Sequence, residues 1–160
     1  MRRASEIRAA GSWNAQDEVD RVVLDAGDRH RRRVVLTGAA GLTFLIDLPR
    51  ATMLADGDGL VLDDGSIVRV AGLAEPLVEL SMPTPLEFAR LAWHLGNRHT
   101  DVQIADRKLR IRRDHVLEDM ATRLGAGVTP ISAAFDPEPS TPHDANAHGH
   151  PHHHGSDHDA

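Results

Sequence analysis

The last eighteen residues of this 160-residue chain, 143–160, hold seven of its eleven histidines and almost nothing apolar. A segment with so little surface to bury cannot offset the entropy lost on ordering. It is expected to stay disordered, so only the residues before it can build a core. The seven are His143, His148, His150, His152, His153, His154 and His158. Neutral imidazole is the commonest protein ligand for nickel, copper and zinc, so a flexible tail dense in it reads as a metal sponge. An expression tag is the plain alternative. Tags are mostly uninterrupted histidine runs, whereas Asp144, Asp157, Asp159 and two glycines are mixed into this stretch. A native metal-binding role is favoured.

Charge follows the same division. From Asp136 onward there are five acids and no Lys or Arg, so the formal charge of −6 leaves about −1 on the body, from 18 basic and 19 acidic residues. No strong field for nucleic acid or an anionic membrane follows. With no cysteine, disulfides and thiolate ligands are excluded, and a transition metal must use imidazole, carboxylate or water. Met1-Arg2-Arg3 is not followed by an apolar stretch, and no run approaches the roughly 18 residues that a membrane span needs. The chain is therefore read as cytoplasmic.

Residues 17–73 carry short β-branched or aliphatic runs: Val19–Leu24, Arg33–Leu36, Leu42–Leu48, Gly59–Leu62 and Ile67–Val70. Asp64-Gly65 between the last two predicts a hairpin with a type I′ turn. Beyond a boundary near Gly72–Pro76 the pattern is mixed. Leu77–Ser81 reads as a strand. Thr84, Pro85 and Glu87 then open a helix as N-cap, first-turn proline and capping-box acid, with Leu86, Ala89, Leu91 or Ala92, Trp93 and Leu95 as its buried stripe and Gly96 as its stop. Val102–Ile104 and Leu109–Ile111 follow as strands. Asp114 caps a second helix, His115–Leu124, with Val116, Leu117, Met120 and Leu124 on one face and Gly125 at its end, and Val128–Phe135 is a final strand. The expected class is α+β. An all-β domain over 1–73, assigned to partner or peptide binding, precedes a ferredoxin-like βαββαβ domain over 74–136 and a His-rich tail over 137–160.

His94-Leu95-Gly96-Asn97-Arg98-His99 joins the two helices' worth of pattern. With Gly96 releasing the chain, His99 can project from a surface turn. One imidazole is a poor site, since nickel and zinc want four to six donors. A two-fold dimer would bring two copies of His99 together. Taken alone, either histidine is more simply a satisfied surface or core residue.

With Gln103-Ile104 and Asp114-His115-Val116-Leu117-Glu118-Asp119-Met120 downstream, this stretch resembles the UreE family of urease accessory metallochaperones. Leu48-Pro49-Arg50 and Asp56-Gly57-Asp58 resemble the family's first domain more loosely. The resemblance implies a homodimer that hands Ni(II) toward the urease apoprotein complex with the help of an accessory GTPase. It implies that His99 is the ligand shared across the dimer interface and that His94 belongs to the motif without being the core ligand. Some members carry a further histidine two residues before the position of His115; here that residue is Arg113, so His115 is expected to be a weak, auxiliary ligand at most. The tail histidines would supply exchangeable further donors, and binding should weaken as pH falls through the imidazole range. Zn(II) and Cu(II) would bind such donors too. The choice of nickel rests on the resemblance.

Other signals have plain readings. Arg29–Arg33 and Arg107–Arg113 are basic enough to suggest RNA, but Leu109–Ile111 lacks the aromatics that stack bases, so Lys108, Arg110 and Arg112 read as a solvated strand face. Asp56-Gly57-Asp58-Gly59 begins like a calcium loop and fails at Leu60 and Val61. Gly38-Ala39-Ala40-Gly41 lacks a phosphate-loop lysine. No nucleophile–base pair is evident, and no enzyme is expected. Two alternatives to nickel delivery are passive metal storage by the tail and a metal-dependent hydrolase using His99, His115, Asp114 or Glu118, for which three fixed ligands cannot be assembled.

Overall fold

The computed structural model describes residues 1–139; the tail histidines His143 to His158, and the disorder expected of them, lie outside the described residues. Two sheets form in chain order. The first has six strands: β1 (Arg2–Arg8), β2 (Glu18–Leu24), β3 (His30–Thr37), β4 (Thr43–Met53), β5 (Gly59–Leu62) and β6 (Ile67–Gly72), ordered β2-β6-β5-β1-β4-β3. The second is antiparallel, with β7 (Ala74–Ser81), β8 (Gln103–Ala105), β9 (Lys108–Arg112) and β10 (Gly127–Ala134) ordered β10-β7-β9-β8. Helix α1 (Pro85–Asn97) joins β7 to β8, and α2 (His115–Arg123) joins β9 to β10.

Strand β1 is absent from the sequence expectation. Arg2-Arg3-Ala4-Ser5-Glu6-Ile7-Arg8 has no apolar run, and only Ala4 is fully buried. It is a strand because β4 lies parallel to it on one side, with Ala4 opposite Ile46, and β5 antiparallel on the other, with Ile7 opposite Leu60. The Asp64-Gly65 hairpin forms, but only Gly65 takes a left-handed φ, +85°, while Gly65 N–H donates to Leu62 O at 2.9 Å. This is a three-residue connection with glycine in the left-handed place, not the two-residue type I′ turn expected, because Ser66 O receives Leu62 N–H at 2.8 Å and takes Asp63 into the loop.

Two buried carboxylates close loops in the first sheet. Asp20 accepts from the N–H groups of Ala40 (2.8 Å), Leu42 (3.0 Å) and Arg21 (2.7 Å). Burial opposes its ionisation, yet these three donors prevail and hold it below the usual carboxylate range. The 38–41 loop is thus an anion cradle filled by the chain's own carboxylate. A Cβ on Gly38 would lie 2.2 Å from Asp20 Oδ2, so glycine is required there. Asp58 accepts from Ala10 N–H and Ala55 N–H, but burial dominates and pushes it above the usual range.

The first sheet encloses Phe44, Ile46, Leu60 and Val70; the second packs Val78, Leu80, Leu109 and Ile111 against Leu91 and Leu95 of α1 and Leu117 and Ala121 of α2. A smaller cluster of Ala26, Leu77 and Phe135 joins the two sheets. Both helices start as their caps predict: Thr84 Oγ1 accepts Glu87 N–H, and Asp114 accepts Val116 and Leu117 N–H. Their buried faces differ from expectation. Helix α1 buries Leu91 and Leu95 with Phe88 and Ala92, leaving Leu86 59 % and Trp93 64 % exposed, and α2 leaves Val116 and Leu124 outside. Hydrophobicity alone marks all of these as core; the sheet covers only the side of each helix that faces it.

At the heart of the fold, Arg29 is fully buried. Its Nη1 donates to Leu54 O at 3.0 Å and pairs with Asp136, and its Nη2 donates to the carbonyl of Phe135. One guanidinium thus ties the loop before β3 to the chain segment after β10. The basic run 29–33 is therefore not one solvated patch.

Candidate metal centre

The helix carrying His94 does not stop at Gly96. It continues to Asn97, Arg98 caps it, and the chain reverses at His99 itself, which adopts φ +53°. Its N–H donates to Gly96 O at 3.1 Å. Glycine usually fills this left-handed position after a helix, since a Cβ there costs about 1–2 kcal/mol. Histidine tolerates it better than most residues, and strain of this kind concentrates at functional sites. The expectation that Gly96 releases the chain is corrected: the hydrogen bond back to Gly96, not a glycine φ, makes the turn. The outcome for His99 is the projection expected of it. The residue is exposed at the edge of an open cavity of about 370 Å³ that Gly96, Asp101, Val102, Ile104 and Glu138 also line.

The other three histidines among the described residues are dispersed. His94 is half-buried on the last turn of α1, its ring edge-on to Trp93 at 5.1 Å between centroids. His30 starts β3 and lines a different groove, of about 660 Å³, with Arg50, Met53 and Arg112. His115 is exposed as the first residue of α2. Among the described residues no group of three or more histidine or acidic side chains is close enough to hold a metal. His99 is brought together with neither His115 nor His94 in such a group.

The surroundings of His115 are committed elsewhere. Glu118 Oε2 accepts Asp114 N–H at 2.9 Å, and Glu118 Oε1 pairs with Arg113 at 3.0 Å. Asp114 is used by the helix N–H groups, whose positive end disfavours a cation. The acids proposed for a hydrolase are therefore engaged in capping. His115→Ala is expected to change nickel affinity less than about tenfold, or 1.4 kcal/mol; calorimetric titration of the variant beside its parent measures this, and a larger loss shows a true ligand.

The alternating cations of β9 are paired rather than merely solvated. Glu79 meets Lys108 and Arg110 at 3.0 Å each, and the Lys108 contact, aided by Arg110 against burial, holds its carboxyl below the usual range. Arg112 pairs with Asp101 and Glu75 and lies 4.8 Å over the Phe135 ring. Sequence reasoning missed Arg29, Glu79 and Glu138 as organising residues; their partners lie tens of residues away along the chain, so no local signal marks them.

The class defined so far is a two-sheet α+β protein that presents a strained histidine at its surface. Its residues 2–72 match the UreE urease accessory protein N-terminal domain model and residues 75–160 match the C-terminal domain model. The chain is 51% identical over 138 residues to the urease accessory protein UreE of Rhodopseudomonas palustris (strain HaA2), covering 86% of this chain and 64% of that relative. It is 46% identical to that of Chelativorans sp. (strain BNC1), covering 88% and 89%, and 40% identical to that of Ruegeria pomeroyi, covering 92% and 95%. Against the Rhodopseudomonas relative the match thus spans less than two thirds of the relative's own length. The chain belongs to the UreE family.

Proposed function

We propose that this chain is a carrier that delivers Ni(II) for assembly of the urease active site. The observation that carries the reading is membership of a family of urease accessory proteins, matched along both of its domain models, together with an exposed histidine held at φ +53° where glycine is the usual residue. Nickel is the cargo, and the protein is not an enzyme. His99 is the ligand shared by two copies of the chain, and His143, His148, His150, His152, His153, His154 and His158 are auxiliary donors that exchange one bond at a time, which permits release as well as capture. The partners are a second copy, the accessory GTPase and the urease apoprotein complex, in the cytoplasm. No helix among the described residues is long and apolar enough to cross a membrane.

The dimer reading draws support from the apolar side of α1 that the sheet does not cover. Leu86, Ala89 and Trp93 recur at helical spacing and are exposed. Such a face can be buried against its own copy, and a parallel pairing of the two helices would bring the α1 ends, each followed by His99, toward a two-fold axis. We read residues 1–73 as a β domain for partner or peptide binding. Residues 74–136, with the order strand–helix–strand–strand–helix–strand, are read as a ferredoxin-like metal-binding domain.

Urease activity in cells lacking this chain tests delivery. Activity should fall sharply at limiting nickel and recover when excess nickel is added or the gene is restored. Activity unchanged at limiting nickel would instead favour storage by the tail.

A further inference from the structure

The chain leaves the described fold through a strap that is fastened residue by residue. The Phe135 side chain is buried beside Leu77 and Ala26, and its carbonyl accepts from Arg29. Asp136 donates its N–H to Gln103 Oε1 at 3.1 Å, while its carboxylate accepts from Arg29 and from Asp56 N–H. Glu138 makes the last fastening described. Its N–H donates to Val102 O at 2.8 Å, and its Oε1 accepts from Ile104 N–H at 3.3 Å. Pro137 and Pro139 on either side restrict the backbone around it. Val102, Ile104 and Glu138 all line the cavity that His99 borders. The strap therefore runs from the buried cluster between the sheets to the rim of the His99 cavity.

We propose that Glu138 is a positioning residue for metal capture: it pins the chain's exit beside His99, so that the tail imidazoles are concentrated at a metal held there. This rests on the reading of His99 as the metal ligand and of the tail histidines as auxiliary donors. His143 follows Glu138 by five residues. Five residues extend to at most about 17 Å, so a fixed exit at the rim keeps this imidazole within reach of the cavity. Binding by a tethered donor is intramolecular, and its effective concentration falls roughly as the −3/2 power of tether length once the span is met. Removing the Glu138 carboxylate leaves residue 138 held by its backbone bond to Val102 alone, and whenever that single bond opens the last anchor moves back to Asp136. The tether then lengthens from five to seven residues. The carboxylate is needed only as an acceptor for Ile104 N–H, which a glutamine can also serve.

The test is titration of the full-length protein with Ni(II) alone. Glu138→Ala should weaken the tight site about twofold or more, and Glu138→Gln should restore it. Ten Gly/Ser residues inserted after Pro139 should weaken it about fivefold, following the same length dependence. None of these changes should alter affinity when the seven tail histidines are replaced by asparagine. If the asparagine-tail protein binds more weakly than the parent but Glu138→Ala and the insertion do not, the anchoring role is overturned alone. If parent and asparagine-tail protein bind equally, the tail's auxiliary role falls and the anchor falls with it. An equal loss from Glu138→Ala in both backgrounds would show that Glu138 supports the fold or His99 itself, and also overturns the proposal.

Discussion

Replacing His99 with alanine is expected to abolish tight nickel binding while the protein stays folded and dimeric. Under the proposed function the parent binds one tight ion per two chains, because His99 is the one histidine among the described residues that line its cavity. Removing both copies leaves an ion only the auxiliary donors, so the tight phase disappears rather than weakens. The dimer should persist, since an apolar face such as that of Leu86 and Trp93, and not one imidazole, holds subunits together. His99→Gly makes the control sharper. It loses the same donor but relieves the left-handed backbone, so it should bind as poorly as alanine while gaining about 1 kcal/mol of apo stability. Titration, size measurement and thermal unfolding on both variants check these outcomes. One tight ion per chain, unaffected by either substitution, would sink the shared-ligand reading.

The largest loss of stability is expected at Arg29. Methionine there would keep much of the packing volume and remove every donor. Leu54 O and Phe135 O would lose their partner, and Asp136 would lose its cation, in a place where Arg29 is fully buried. Breaking a buried pair from one side costs about 3–5 kcal/mol. Asp136 is partly exposed, which points to the lower end, a fall in Tm of roughly 10 °C. Lysine should recover only part of this, because it lacks the planar fork that meets two carbonyls and a carboxylate together. Chemical or thermal unfolding of the two variants measures the effect. A loss below about 1 kcal/mol for methionine would mean that the arginine's desolvation nearly cancels its bonds.

Much of the second sheet's scaffolding is legible in the order of residues alone. Thr84 and Glu87, Asp114, and Gly125 at φ +92° are short-range devices, each acting on N–H or C=O groups within a turn of itself. Their outcome depends on neighbours in sequence, so spacing alone exposes them. Strands β5, β6 and β9 announce themselves because apolar side chains recur in short runs. The cluster of histidines, and the motif around His99 that carries the resemblance, are equally open to reading, since composition and order need no coordinates.

The rest is settled by partners distant along the chain. Arg2–Arg8 becomes a strand only because β4 and β5 offer unpaired edges on both sides, a pairing that its own charged residues do not announce. Arg29 sits in a basic run that reads as surface, yet it is buried because carbonyls from residues 54 and 135 converge on it. Leu86 and Trp93 have the composition of core and stay outside, because a helix has more apolar surface here than one sheet can cover. Gly96 is the sensible place to end α1, but the helix runs past it and the turn falls on His99. Glu138 is one acid among twenty-four until Val102 and Ile104 hold it beside that turn. Local rules act through bonded neighbours and can be read from the order of residues. Burial, register and the position of the exit depend on which distant groups meet, and only the folded chain brings those groups together.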